Sequence, residues 1–328
     1  MAPAKSSMQL PPFLIEPRFV DRVWGYNDLH PWFDRVAEKG PIGEVWLTGD
    51  ECRIATGAHA GMTLAALFRE DPLALLGASG SHDGSPLLVK MIFAREKLSV
   101  QVHPDDQLAQ KYGQPRGKTE CWFALAAEPG AQVAAGLKPG VTLDQVKSGI
   151  QNGTLEQSLN VLPVSQGDMI FVDAGTVHAI WPGSILLETQ QNSDITYRLY
   201  DYGRPRELHI EKSLEATRLV TRAGKMLPRR LTDRTTLIDV EYFRVERITI
   251  NGSRESSSLP AHDEPSPGLA YLFAASGSAR ITSGSFEPIE ITSRGIACVP
   301  AASPSFTIED CGGLDLIRFS PRSPAGGV

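Results

Sequence analysis

From residue 242 onward the chain is cut into short pieces, and this limits its fold more than any other feature. Apolar or alternating runs at 242–250, 270–275, 279–282, 289–291, 296–299, 305–308 and 314–319 are separated by Gly, Ser and Pro. Runs of this length suit the strands of an all-β barrel or sandwich. The earlier part has a similar grain. Segments 13–26, 42–48 and 54–58 read as short strands or edge segments, and 87–93 as a strand buried on both faces. Further strands are expected at 117–125, 168–172, 185–189 and 195–200. No spacing suggests a solenoid.

Helices interrupt this pattern. Over 63–77, Thr63 stands near an N-cap, Leu64, Leu67, Phe68, Leu75 and Leu76 form a stripe, and Pro72 breaks or kinks it. A helical insertion is expected over 141–162. Its apolar positions are Leu143, Val146, Ile150, Leu155, Leu159 and Leu162, with Gly149 and Gly153 as breaks. A short helix fits 208–223, and the basic, polar stretch 224–235 reads as a connector. Residues 1–12 read as a frayed terminus and 77–85 as a Gly/Ser loop.

A chain of 328 residues can form one large domain or two medium ones. With 41% hydrophobic and 21% charged residues it has ordinary globular composition, and its net charge of −6 argues against a coat for nucleic acid. No apolar run has the length of a signal peptide or a membrane span. Cys52, Cys121, Cys298 and Cys311 are scattered, with no C-x-x-C pair. A reducing, cytoplasmic location is the expectation. Nothing in the residues selects an oligomeric state.

The stretch from Leu98 to Asp106 is the most informative locally. Ser99, Gln101 and His103 alternate with Leu98, Val100 and Val102, and Pro104 then ends the strand. Glu120 falls on the next expected strand, and a later strand runs into a glycine-containing turn that presents His178. Gln101, His103, Glu120 and His178 together offer an amide oxygen, a carboxylate and two imidazoles. That donor set suits a borderline divalent ion, most simply Zn²⁺, with a position left for water or substrate.

The Gly167–His178 stretch resembles the second cupin motif, with Asp173 at the usual proline position, while Gln101 replaces the first histidine of the usual His-x-His pair. Gln-x-His-Pro-Asp-Asp, then Gly-Lys-Thr-Glu-Cys-Trp, Gly-Thr-Val-His-Ala-Ile and Tyr-Arg-x-Tyr-Asp-Tyr resemble the type I mannose-6-phosphate isomerase (phosphomannose isomerase) family in its short bacterial form. The matches run from about Trp24 to His209 and are densest over 87–204. The resemblance implies a mainly β, cupin (jelly-roll-like) fold with a few inserted helices. A metal-binding domain would span 1–235, and a smaller, metal-free barrel-like domain 236–328. It also implies a Zn²⁺ site of Gln101, His103, Glu120 and His178. Lys118 and Arg198 would be active-site groups, with Ser99, Lys90 and, less directly, Arg204 at a substrate phosphate.

The chemistry is compatible. A sugar phosphate needs cations and hydrogen-bond donors for its dianion. Aldose–ketose isomerisation needs a base to move a proton between C1 and C2, and an electrophile to hold the enediol charge. Lys118, given a depressed pKa, His103 and a metal-bound water all remain candidates for that base. A non-catalytic sugar-phosphate-binding cupin and a metal-cupin isomerase for another sugar are the alternatives. His30, His59, His82 and His262 read as surface residues, Trp24 and Trp46 as core or pocket wall, and Arg229 and Arg230 as solvated. His209 has no assigned role.

Overall fold

The computed structural model describes residues 9–77, 84–255 and 268–322. Residues 1–8, positions 78–83 of the expected Gly/Ser loop (with His82) and His262 lie outside the described residues. The chain is mainly β, with 42% strand and 13% helix, as the short runs require. It divides into two compact units that interleave along the sequence. One comprises Met1–Arg18, Leu47–Leu87 and Leu227–Val328, the other Phe19–Trp46 and Leu88–Met226.

The second unit is a two-sheet sandwich. Its larger sheet runs, in order, Gly224–Met226, Met169–Val172, Glu120–Ala127, Ser184–Gln191, Leu87–Phe93, Ile42–Trp46 and Arg18–Tyr26. The smaller runs Tyr197–Tyr200, Val100–Val102, His178–Ile180, Gln132–Leu137 and Leu159–Pro163. Trp122, Ile92, Ile170, Val172 and Leu186 of the larger sheet join Val133, Ala135 and Ile180 of the smaller in one buried cluster, so the core lies between them. The opposite face of the smaller sheet presents Val100, Val102, Ala134 and Ala179 to Val146 and Ile150 of the Leu143–Asn152 helix and Ala216 of the Ile210–Ala216 helix. Period-two alternation thus serves two cores from one strand.

The first unit pairs a seven-stranded sheet with a four-stranded one. Leu272, Ala274 and Leu316 from the former meet Ile281, Ile291 and Ile308 from the latter. The expected 63–77 helix belongs to this unit and is split. Thr63 Oγ1 accepts from Ala66 N to cap Leu64–Glu70, and Asp71 then caps Pro72–Leu76, with Pro72 in the first turn where its missing N–H costs nothing.

Other expectations shift. The 141–162 insertion is an α-helix only over Leu143–Asn152, capped by a Thr142–Gln145 capping box and ended by Gly153 in the left-handed conformation, with a 3-10 turn at Leu155–Ser158 after it. Gly149 is not a break but lies within it. A Cβ there would stand 3.0 Å from the Leu155 backbone, so its lack of side chain lets the chain fold back. Leu159 and Leu162 belong to a strand instead. The connector at 224–235 contributes Gly224–Met226 to the larger sheet and Arg229–Arg230 to the first unit. The segment 54–58 supplies only an isolated bridge, Ile15 to Ile54.

Candidate metal and active site

The smaller sheet aligns its functional residues by register. Gln101 pairs with Arg198 on one side and with His178 on the other, so three neighbouring strands present all three side chains on one face. On the larger sheet Trp122 pairs with Glu188, and Trp46 with Lys90. Glu120 lies two residues before Trp122 and so shares its face. The inward row therefore changes from apolar to charged along the same strands. His103 follows the Val100–Val102 strand, and its carbonyl accepts from Gly175 N at 2.8 Å. That bond ties it to the turn that leads into His178. Asp173 holds this turn: its carboxylate accepts from Thr176 Oγ1 at 2.9 Å and from Arg222 N at 3.2 Å. A capping carboxylate thus stands where a proline would stiffen the same turn.

His103, Glu120 and His178 bring one ligand atom each to within 4.8 Å of one another, all three buried. Glu120 sits between the imidazoles, its Oε2 3.6 Å from His103 Nε2 and its Oε1 3.4 Å from His178 Nε2. His178 Nδ1 donates to Thr176 O at 2.9 Å, which leaves the Nε2 lone pair facing the cluster. The Gln101 amide reaches the same Nε2 at 3.2 Å. Burial pushes the His178 pKa down to about 4, and burial with the nearby Lys118 charge drives that of His103 well below its usual value. Both rings are neutral near pH 7, the state that binds metal. His103 Nε2 is buried with no hydrogen-bond partner. The donor set, neutral imidazoles and an unsatisfied nitrogen fit a divalent ion.

Around this cluster lies a cavity of about 350 Å³, within the second unit. Lys118 Nζ is 2.9 Å from Glu120 Oε2 and 3.4 Å from Glu188 Oε1. Burial alone would lower its pKa, but these two carboxylates outweigh it and the net shift is upward. The two carboxylates thus oppose the depressed pKa that Lys118 would need to serve as the base. Lys90 is buried, 3.6 Å from Glu44 and 3.5 Å from Glu188. Burial raises the Glu44 pKa, yet Lys90, Arg22 and the Trp46 indole hold it down at about 2. Glu188 goes the other way. Burial and repulsion from Glu120 raise it to about 7, against the two lysines.

Ser99, Gln101, Lys90, Lys118, Glu120 and Arg198 all line the cavity. Arg204 does not. Its guanidinium is held by Asp201 at 2.8 Å and by Lys97 O at 2.7 Å, and Arg206 lines the cavity in its place. Arg206 is itself fixed by a bidentate pair with Asp201, both bonds 2.6 Å. His209 gains a role. Its Nδ1 accepts from Arg198 N at 3.2 Å and its own N–H donates to Arg198 O at 2.8 Å, bracing the strand that carries Arg198. Trp24 is buried and forms cavity wall. Sequence reading passed over Glu44, Glu188, Arg22 and Asp194. A signal existed for the two glutamates: each is a lone charge inside a strand that is otherwise buried, as Lys90 is.

A two-sheet sandwich with inward-facing imidazoles, a carboxylate and an amide at the charged end of its core defines the cupin class, here with a candidate metal site. Residues 20–135 match the family model described as "Phosphomannose isomerase type I, catalytic domain". Mannose-6-phosphate isomerase ManA of Bacillus subtilis is 35% identical over 266 residues, covering 75% of this chain and 82% of that protein. The mannose-6-phosphate isomerase of Streptococcus mutans is 33% identical over 256 residues, covering 74% and 80%. The crystal structure of the mannose 6-phosphate isomerase from Bacillus subtilis superposes with a TM-score of 0.83 at 30% identity, over 95% of this chain and 100% of that one. The chain belongs to the type I phosphomannose isomerase family.

Proposed function

We propose that the protein is a zinc-dependent aldose–ketose isomerase that interconverts D-mannose 6-phosphate and D-fructose 6-phosphate. The observation that carries this is the buried His103–Glu120–His178 cluster beside a cavity that Gln101 and Glu120 line together with Lys118, Glu188 and Arg198. Gln101, His103, Glu120 and His178 would hold the ion, and two imidazoles with one carboxylate favour zinc over a hard, all-oxygen ion. When bound, the ion supplies Lewis acidity that polarises carbonyl and hydroxyl oxygens.

The remaining roles follow from the charges. Glu188 is the buried cavity carboxylate that is neither in the ligand set nor locked by Arg22 and Trp46 as Glu44 is. It is our candidate for the group that moves the proton between C1 and C2. Lys118 stays protonated beside it and stabilises negative charge. Arg198, whose buried Nε has no partner, would meet the oxygen on which enediolate charge collects. Ser99 and Arg206 would receive the phosphate dianion, with Lys90 nearby as a structural counter-ion for Glu44 and Glu188. Four cysteines, none of them in a disulfide, support a reducing, cytoplasmic setting.

A coupled assay of the zinc-loaded protein with mannose 6-phosphate tests the reading. Turnover to fructose 6-phosphate is expected. Tight binding without turnover would favour the non-catalytic alternative, and turnover of an unphosphorylated sugar alone would favour the other isomerase.

A further inference from the structure

Lys118 and Glu120 enter the site from an irregular segment. The sequence suggests a strand from residue 117, but the ladder begins only at Glu120, so residues 117–119 have no strand to satisfy them. Their amides are nevertheless all held. Gly117 N donates to Asp106 Oδ1 at 2.7 Å, Lys118 N to Pro104 O at 3.0 Å and Thr119 N to the Gln191 side-chain Oε1 at 2.9 Å. Gln191 closes the network. Its Nε2 donates to the same Asp106 Oδ1 at 3.0 Å, and its backbone N donates to Thr119 O at 3.1 Å. The regular register between these strands runs out at Gln190 opposite Glu120. From there the buried Gln191 amide does with its side chain what a ladder carbonyl would do.

The segment has no slack on its other side. A Cβ on Gly117 would lie 2.4 Å from Asp105 C and 2.5 Å from Pro104 O, so only glycine fits against the turn after His103. We infer that Gln191 is a positioning residue: it clamps the Lys118–Glu120 backbone to Asp106 and so sets where ammonium and carboxylate meet the two histidines. This rests on the isomerase reading for its kinetic consequence, but not for its effect on the metal site. A displacement of about 1 Å at such groups is enough to cost on the order of 100-fold in rate. Groups that orient ligands without touching the ion commonly change metal affinity or activity by about 10–100-fold.

Gln191→Leu keeps the size and removes both side-chain bonds. In the full-length protein, kcat should fall about 10–100-fold while KM for mannose 6-phosphate stays close to wild type, and zinc affinity by chelator competition should weaken about 10-fold. Wild-type kcat and wild-type zinc affinity together would overturn the assignment, as would a change confined to KM. If Gln191→Leu does not fold, Gln191→Glu decides. It retains the acceptor for Thr119 N but sets a carboxylate against Asp106, and adding Asp106→Asn restores a donor–acceptor bridge of reversed polarity. Partial recovery of kcat and zinc affinity in that double variant is expected, and none would overturn the proposal. A wild-type protein that binds zinc yet lacks isomerase activity would sink the functional reading alone, since the zinc comparison still tests Gln191.

Discussion

At the scale of single residues, the site is a balance of buried charges whose signs differ from their isolated behaviour. Glu44 shows how strongly neighbours decide. It is buried, which alone would favour its neutral form, but Arg22, Lys90 and the Trp46 indole hold it ionised down to about pH 2. The fall from 4.5 to about 2 corresponds to about 3 kcal/mol of folding stability. The sign is that of a depressed carboxylate. The contribution is complete above about pH 4.5 and is lost as the pH falls towards 2. Acid titration of stability should therefore be shallower over this window in Glu44→Gln than in wild type, and equal slopes would refute the assignment.

The roles proposed for His178 and Arg198 can be told apart by mutation. His178→Ala removes one of two imidazoles and should deplete zinc and activity together. Arg198→Ala should keep the metal and lower kcat by about 10²–10³-fold, the loss expected for an oriented charge-stabilising donor. Metal analysis beside steady-state kinetics reads both. Zinc loss in Arg198→Ala would contradict its role.

Single elements depend on local rules that are legible in the sequence. Thr63, Pro72, Thr142 and Gly153 mark helix ends by their chemistry, and the structure caps the helices there. Thr142→Ala should cost about 1 kcal/mol, measurable by denaturant unfolding, with kcat unchanged. What local rules miss is close approach between elements. Gly25 has ordinary backbone angles, yet a Cβ on it would stand 2.3 Å from the Ile42 carbonyl of the adjacent strand. Gly25→Ala should cost about 1–3 kcal/mol through overpacking. Because Trp24 and Arg22 share that strand and line the cavity, it should also raise KM, whereas Thr142→Ala should not. The strands at Gln132–Leu137 and Leu159–Pro163 were not anticipated. Alanine and glycine dominate the first, and the second continues a helical apolar spacing, so neither carries the β-branched signature that marks Leu87–Phe93.

For the whole molecule, a site assembled from residues 101 to 178 makes metal binding and folding one equilibrium. Zinc at 100 times its Kd should stabilise the native state by about 2.7 kcal/mol. Chelation should accordingly lower Tm in the wild type, and His178→Ala should show almost no such response. An equal drop in both would mean that the chelator acts elsewhere.

The sequence by itself determined the β architecture, the helix ends and the four ligand candidates, since short alternating runs, caps and motif spacing are local properties. It placed Gln101, His103, Glu120 and His178 as one set although 77 positions separate the first from the last. Tertiary structure alone decided three things. It exchanged Arg204 for Arg206 at the cavity, because Asp201 and the Lys97 carbonyl capture Arg204. It added Glu188 and Glu44, whose importance comes from the lysines beside them across the sheet. It also kept Lys118 charged, because a pKa belongs to the surroundings a side chain meets after folding, and those are set by strand register rather than by neighbours in the chain.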